Sequence, residues 1–305
     1  MSIDPILPEH GEPEGGDVVG QGLLRSMLRV FAANRLAVIS LGVLLFMLAF
    51  CFLGPLVHPT NQTNAQQALI ESVQDAPPSA SHWLGTDQNG FDVLGRLMYG
   101  GQIALLVGFL AAIVATVIGV AYGAVAGFFG GWFDAVAMRL VDVGLSIPVL
   151  FLLIALVTIY RPTTLLLVLV IAAVSWLVPA RLIRAETLSL RSREYVSAVR
   201  AMGGTRRRII ARHLVPNSVG TIVVFATFDV ADSILLLASL GFLGLGVPAP
   251  QTDWGTMLSN GVDVAANGYW WEVYPVGICI VLVVVSLNYI GDALRDALEV
   301  RLQRR

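Results

Sequence analysis

Two aspartates spaced i, i+3, Asp229 and Asp232, interrupt an apolar run from Ser218 to Leu245. On a helix that spacing puts both carboxylates on one face. Charge at membrane depth is costly, so such residues face a cavity or a partner. They read as a pathway wall that meets a cationic amine, as a structural contact with a neighbouring chain or another span, or as a solvated position near a helix end. Arg139 and Asp142 have the same spacing with opposite sign, which predicts an internal ion pair between them. Catalytic groups are scarce. No histidine falls inside an apolar run and no serine has an obvious base, which argues against an intramembrane enzyme. His82 and His213 stand without further ligands at matching spacing, so no metal site is expected. All 19 basic residues are arginine. A P-loop lysine and a Schiff-base lysine are therefore both missing. If ATP drives this chain, another chain must bind the ATP.

The elements that position these groups follow from composition. Of 305 residues, 56% are hydrophobic and 13% charged, against about a quarter charged in soluble domains. Such a chain cannot cover a water-facing surface. Cys51 and Cys279 both lie in apolar runs, which excludes a disulfide scaffold, and the net charge of −2 argues against a general nucleic-acid binder. A bilayer core about 30 Å thick needs roughly 20 apolar residues of helix. Six runs qualify: Leu36 to Val57, Ile103 to about Phe129, about Ala135 to Ile159, Thr164 to Ala180, about Ser218 to Leu245, and Val273 to Ile290. The fold class expected is an all-α integral membrane protein with six transmembrane helices.

Arginine placement sets the orientation. With the N-terminus inside, 17 arginines fall inside and 2, Arg96 and Arg161, outside. N-in, C-in is therefore expected. The first run is too long for a signal-peptide core and no small-residue cleavage pattern follows it, so it reads as a retained helix. Residues 1–22 read as a disordered acidic tail. Residues 23–100 hold an interfacial or basic anchoring segment, the first span and a long outside loop. Residues 101–305 form a five-helix core with an inside loop over 181–216.

That inside loop is the most informative segment. Glu194 to Met202 is helix-like, with apolar Tyr195, Ala198, Val199 and Met202 on one face. Gly203-Gly204 ends it, Thr205 caps a second, basic helix from Arg206 to Leu214, and Pro216 stops that helix. A docking element for a protein and an anchor for lipid headgroups are both open readings. Outside, His82 to Asp92 reads as an ordered turn leading into the second span. Gly244 to Glu272 reads as irregular, because two prolines and several glycines forbid a continuing helix.

Three stretches together resemble one family. They are His82-x-Leu84-Gly85-Thr86-Asp87-x-x-Gly90-x-Asp92; the inside loop, similar to an E-A-A-x-x-x-G-x(9)-I-x-L-P signature through Ala198, Gly203 and Pro216; and Phe242-Leu243-Gly244-Leu245-Gly246 with Trp254-Gly255-Thr256-Met257 and Gly291-Asp292-x-Leu294-Arg295-Asp296. The chain resembles the permease subunits of binding-protein-dependent ABC importers, in the dipeptide, oligopeptide and nickel branch. The signature's glutamate is Ser197 here, its second alanine Val199, its isoleucine His213 and its leucine Val215. Phe91 stands where an arginine is frequent.

The resemblance implies a type I importer permease in the bacterial inner membrane. Its coupling residues would be Glu194, Tyr195, Ser197, Ala198, Val199, Arg200, Met202, Gly203 and Pro216, and no residue would be catalytic. ATP and Mg²⁺ would be bound by two partner ATPase subunits or domains. The other partners implied are a second homologous permease, an external solute-binding protein, a peptide substrate and the lipid bilayer, with no nucleic acid. Without the family glutamate, docking would rest on shape, apolar contact and Arg200. An ion-coupled secondary transporter is the alternative reading, since it too places ionisable groups such as Asp229 and Asp232 at membrane depth.

Overall fold

Helices grow from the apolar runs, and their caps and prolines decide where each one starts, bends and stops. The computed structural model describes residues 30–60, 74–160 and 162–303, with side chains through residue 298. The acidic tail, residues 23–29 of the anchoring segment, outside-loop residues 61–73, Arg161 and the last two arginines lie outside the described residues.

The first helix, α1, covers Arg35–Val57, and the Asn34 side chain caps it by accepting from the N–H groups of Leu36 and Ala37. The second, α2, covers Val93–Phe129 and starts ten residues ahead of the expected Ile103. Asp92 begins it by accepting from the Gly95 N–H at 2.8 Å. The polar residues that suggested a loop are satisfied within the fold. Arg96 donates to the Pro250 carbonyl at 2.9 Å, and Gln102 donates to the Cys51 carbonyl at 2.7 Å.

The third and fourth expected spans are each broken. The third divides into α3, Gly131–Ser146, and α4, Val149–Ile159, bent by 86°. Ile147 is extended because the residue before a proline is pushed out of the helical region, and Pro148 starts the new direction. The fourth divides into α5, Thr164–Ser175, and α6, Leu177–Leu190, bent by 41°. Pro179 has no N–H to offer the Ser175 carbonyl, so the hydrogen-bond ladder breaks there. Among the described residues four helical stretches are long and apolar enough to cross a membrane alone, and up to six if each bent pair counts as one span.

Next come α7, Glu194–Ala201, and α8, Arg206–Ile209. Pro216 does not stop the basic helix, contrary to expectation. A π turn over Ile210–Leu214 and a 3₁₀ turn over Val215–Ser218 lead without a break into α9, Val219–Phe242. The altered winding re-routes the hydrogen bond that Pro216 cannot donate. The segment from Gly244 to Glu272 is not wholly irregular either. It contains α10, Trp254–Ala265, started by Asp253, whose side chain accepts from Thr256 N–H. The last helix, α11, covers Tyr274–Gln303.

Helix α2 is the axis of the core. Gly119, Gly123 and Gly127 recur every four residues, and along that stripe α2 lies against α6. Small residues at this spacing let two backbones approach closely. A Cβ on Gly123 would meet the Ala180 carbonyl oxygen and approach the Arg184 nitrogen to 2.9 Å. Two ion pairs tie α3 to α6: Arg184 chelates Asp134 at 2.9 and 2.5 Å, and Arg181 binds Asp142 at 2.5 Å. The expected Arg139–Asp142 pair is thus replaced, because the approach of α6 brings a better-placed guanidinium to Asp142.

Candidate functional site

The arginine-rich segment caps one end of the bundle. At eight residues α7 is too short to persist alone, so packing must hold it. Val196 is fully buried against Phe128, Ile209 and Leu214, with Val199 half-buried beside it. Arg191 closes the end of α2 by donating to the carbonyls of Gly127 and Phe128 at 2.9 and 3.2 Å. Gly203 sits at φ 81°, in the left-handed region. Its N–H donates to the Arg200 carbonyl, and the Gly204 N–H donates to the Val199 carbonyl, which is how a glycine terminates a helix. Thr205 then caps α8 by accepting from Arg208 N–H.

The expected apolar face therefore divides. Val199 turns to its own chain, and Val196, which the pattern did not single out, is the anchor. Tyr195, Ala198 and Met202, at i, i+3 and i+7, form an outward stripe, and Met202 is 78% exposed. Glu194, Ser197 and Arg200 are also exposed around that stripe. Pro216 lies apart from it, beyond the π turn and before α9.

A cavity of about 720 Å³ opens between α4, the α5–α6 bend and α9. Asp229 and Asp232 both line it, among Leu152, Val174, Phe225 and Phe228. One Asp229 oxygen, Oδ2, is buried without a hydrogen-bond partner, and Asp232 is exposed. Among the described residues neither carboxylate forms an ion pair. The two aspartates are thus on one apolar-walled surface, and no cation of another described span neutralises them.

The other end of the bundle joins two stretches far apart in sequence. Within 82–92, His82 Nδ1 contacts Asp92 Oδ2 at 2.9 Å, and Asp87 accepts from the N–H groups of Asn89 and Phe91. Burial pushes the Asp87 carboxyl above its usual range, against the opposing pull of Arg96. The Arg96 guanidinium lies 4.7 Å from the centre of the Phe91 ring. The stretch is clasped to the 244–272 segment. Trp271 Nε1 donates to the Thr86 carbonyl at 3.3 Å, and beyond the stretch, on α2, the Leu97 carbonyl accepts from Trp254 Nε1 at 3.0 Å. Asp253 also accepts from the Val247 N–H and the Thr256 hydroxyl. These hydrogen bonds tie the two stretches into one rim.

Residues 119–304 match the family described as binding-protein-dependent transport system inner membrane component. Residues 22–78 match the N-terminal transmembrane domain of oligopeptide transport permease C. The chain is 40% identical over 283 residues to the oligopeptide transport system permease protein OppC of Escherichia coli strain K12, covering 93% of each chain. It is 38% identical over 271 residues to the dipeptide transport system permease protein DppC of Bacillus subtilis strain 168, covering 89% of this chain and 83% of that one. A putative peptide permease protein of Brucella suis biovar 1 is 42% identical over 276 residues, covering 90% of this chain and 89% of its own.

Proposed function

The chain belongs to the family of binding-protein-dependent transport inner membrane components, and from that premise we propose that it is one permease subunit of an ATP-driven importer of di- or oligopeptides. Its relatives' names supply the peptide class. The observation that carries the coupling role is the outward stripe of Tyr195, Ala198 and Met202 on a helix anchored from behind by Val196. In this reading the stripe seats in a groove of a partner ATPase. Helix α7 lies in the segment that joins α6 to α9, so a push on it reaches the cavity that Asp229 and Asp232 line. ATP binding biases the subunit only through different affinity for inward- and outward-open packings. A second permease supplies the other wall of the pathway, a second ATPase domain completes the motor, and an external binding protein delivers the solute.

The arginine distribution supports an orientation with both termini and α7 in the cytoplasm. A cysteine introduced between Thr60 and Ser81 should react with a membrane-impermeant thiol reagent in intact cells. One introduced after Leu302 should not. The reverse labelling pattern would overturn the topology.

In the pathway, Asp229 and Asp232 meet the substrate's ammonium group. The experiment is ATP-dependent uptake of a labelled dipeptide and its N-acetylated form by the assembled complex. Asp229→Asn with Asp232→Asn should reduce uptake of the free-amine peptide several-fold more than that of the blocked one, with assembly intact. Uptake that persists without the ATPase subunits would overturn the importer reading. Equal loss for both peptides, or failure to assemble, would overturn the pathway role alone.

A further inference from the structure

Beside α7, at the α2 terminus, lies a cavity of about 470 Å³ whose lining shares only Arg200 with the coupling residues. Its floor is the pair of rings Phe128 and Phe129, and its rim carries Arg200 and Arg206. Each guanidinium is stacked on one ring: Arg206 at 5.3 Å from the centre of Phe129, Arg200 at 5.8 Å from that of Phe128. Stacking fixes the guanidinium planes while leaving their N–H edges free to bind an anion. Among the described residues no carboxylate forms an ion pair with either arginine. Arg191, by contrast, is committed to backbone carbonyls.

A second, almost wholly apolar groove of about 520 Å³ runs between α2 and α3. Ala121, Tyr122 and Val125 form one wall, and Phe133, Val136 and Leu140 the other. The α3 wall, from Trp132 to Leu140, rises about 12 Å, and the α2 wall, from Ala121 to Val125, about 6 Å. The groove lies next to the arginine cavity: Phe133 of the groove packs on Phe129 of the arginine cavity, ring centres 5.5 Å apart. Trp132, 80% exposed, stands at that junction, where an amphipathic ring at a membrane interface belongs.

We propose that the two cavities form one site for an anionic phospholipid, its phosphate on Arg206 and Arg200 and an acyl chain in the groove between α2 and α3. Charge complementarity selects the headgroup, and the apolar groove lying next to the cationic cavity selects a lipid over a free anion. The site abuts α7, so the lipid braces the segment that carries the outward stripe.

The test uses the complete complex purified in detergent supplemented with equal amounts of phosphatidylglycerol and phosphatidylcholine. Retained lipid is measured by mass spectrometry. The wild type should retain phosphatidylglycerol preferentially. Arg206→Ala should lower that retention roughly five-fold, the worth of one arginine at an anionic membrane surface. Arg206→Lys should keep most of it. Ala121→Trp, which fills the groove, should lower retention while the ATPase subunits still co-purify. Inorganic phosphate at constant ionic strength should not displace the lipid. Equal retention by wild type and Arg206→Ala would overturn the site. Displacement by inorganic phosphate would assign the arginines to a free anion instead. Loss of ATPase from Arg206→Ala with lipid unchanged would give the cavity to the protein partner.

Discussion

Gly123→Leu should dismantle the helix bundle, whereas Gly277→Leu should leave it standing. At Gly123 the first side-chain carbon already collides with the Ala180 carbonyl oxygen and crowds the Arg184 nitrogen. Both obstacles are backbone, so no rotamer change relieves them. Helix α6 must move away from α2, and the Asp134–Arg184 and Asp142–Arg181 pairs that tie α6 to α3 must follow. Overpacking of this kind costs about 3 kcal/mol, or roughly 6–12 °C in Tm. At Gly277, on α11, an added carbon meets nothing within 4 Å. The two variants add the same side chain to apolar helices, so hydropathy and insertion are matched. Tm of the detergent-purified complex, with its yield, separates them. Similar Tm values for both would mean that the α2–α6 contact is not the axis of the core.

Hydropathy alone located the six apolar runs, because a helix in hydrocarbon must be apolar all round. It was blind to what happens inside a run. The average apolarity of the run does not announce an 86° bend at Pro148, although the α3 side carries Asp134, Arg139 and Asp142 and the α4 side no charge. The early start of α2 was hidden for a related reason. Arg96 and Gln102 look like loop residues until the partners that satisfy them, Pro250 and Cys51, arrive from distant sequence. The same non-locality misassigned Asp142, whose true partner Arg181 lies on another helix. Helix α10 was concealed behind the prolines of its approach, and only the cap at Asp253 marks its start.

The 181–216 segment was more legible than the cavity lined by the two aspartates, because its signals are local. A glycine break, a threonine cap and a short amphipathic helix are all readable within a dozen residues. What remained hidden was which apolar residues face inward. Tyr195, Val196, Ala198 and Val199 on an eight-residue helix, with Met202 just past its end, cover too much of its surface for periodicity to choose. Phe128, from the end of α2, makes the choice by packing on Val196. Asp229 and Asp232 were placed on one helix face by spacing, but the cavity they line exists only because α4 and the α5–α6 bend come together beside α9.

The second large effect should come from Gly203→Val and Ala198→Trp, through two unrelated causes. Gly203 holds φ at 81°, which a β-branched residue tolerates poorly. The strain is about 1–2 kcal/mol, enough to reduce the population with α7 correctly seated by about 5–30-fold. No side-chain clash contributes, since an added carbon at Gly203 meets nothing within 4 Å. Gly203→Asn should therefore rescue most of the function, because asparagine adopts the left-handed conformation at lower cost. Ala198→Trp leaves the backbone alone. Ala198 is exposed, so the bulky ring is accommodated within this chain and obstructs only what docks there. Both variants should reach the membrane at wild-type levels, yet lose ATPase on purification or lose ATP-dependent uptake. Measuring co-purified ATPase and peptide uptake for all three variants distinguishes strain from obstruction. If Gly203→Val and Ala198→Trp both keep the ATPase and transport at wild-type rates, α7 is not the coupling element. If Gly203→Asn fails as completely as Gly203→Val, the backbone conformation at that position is not what matters.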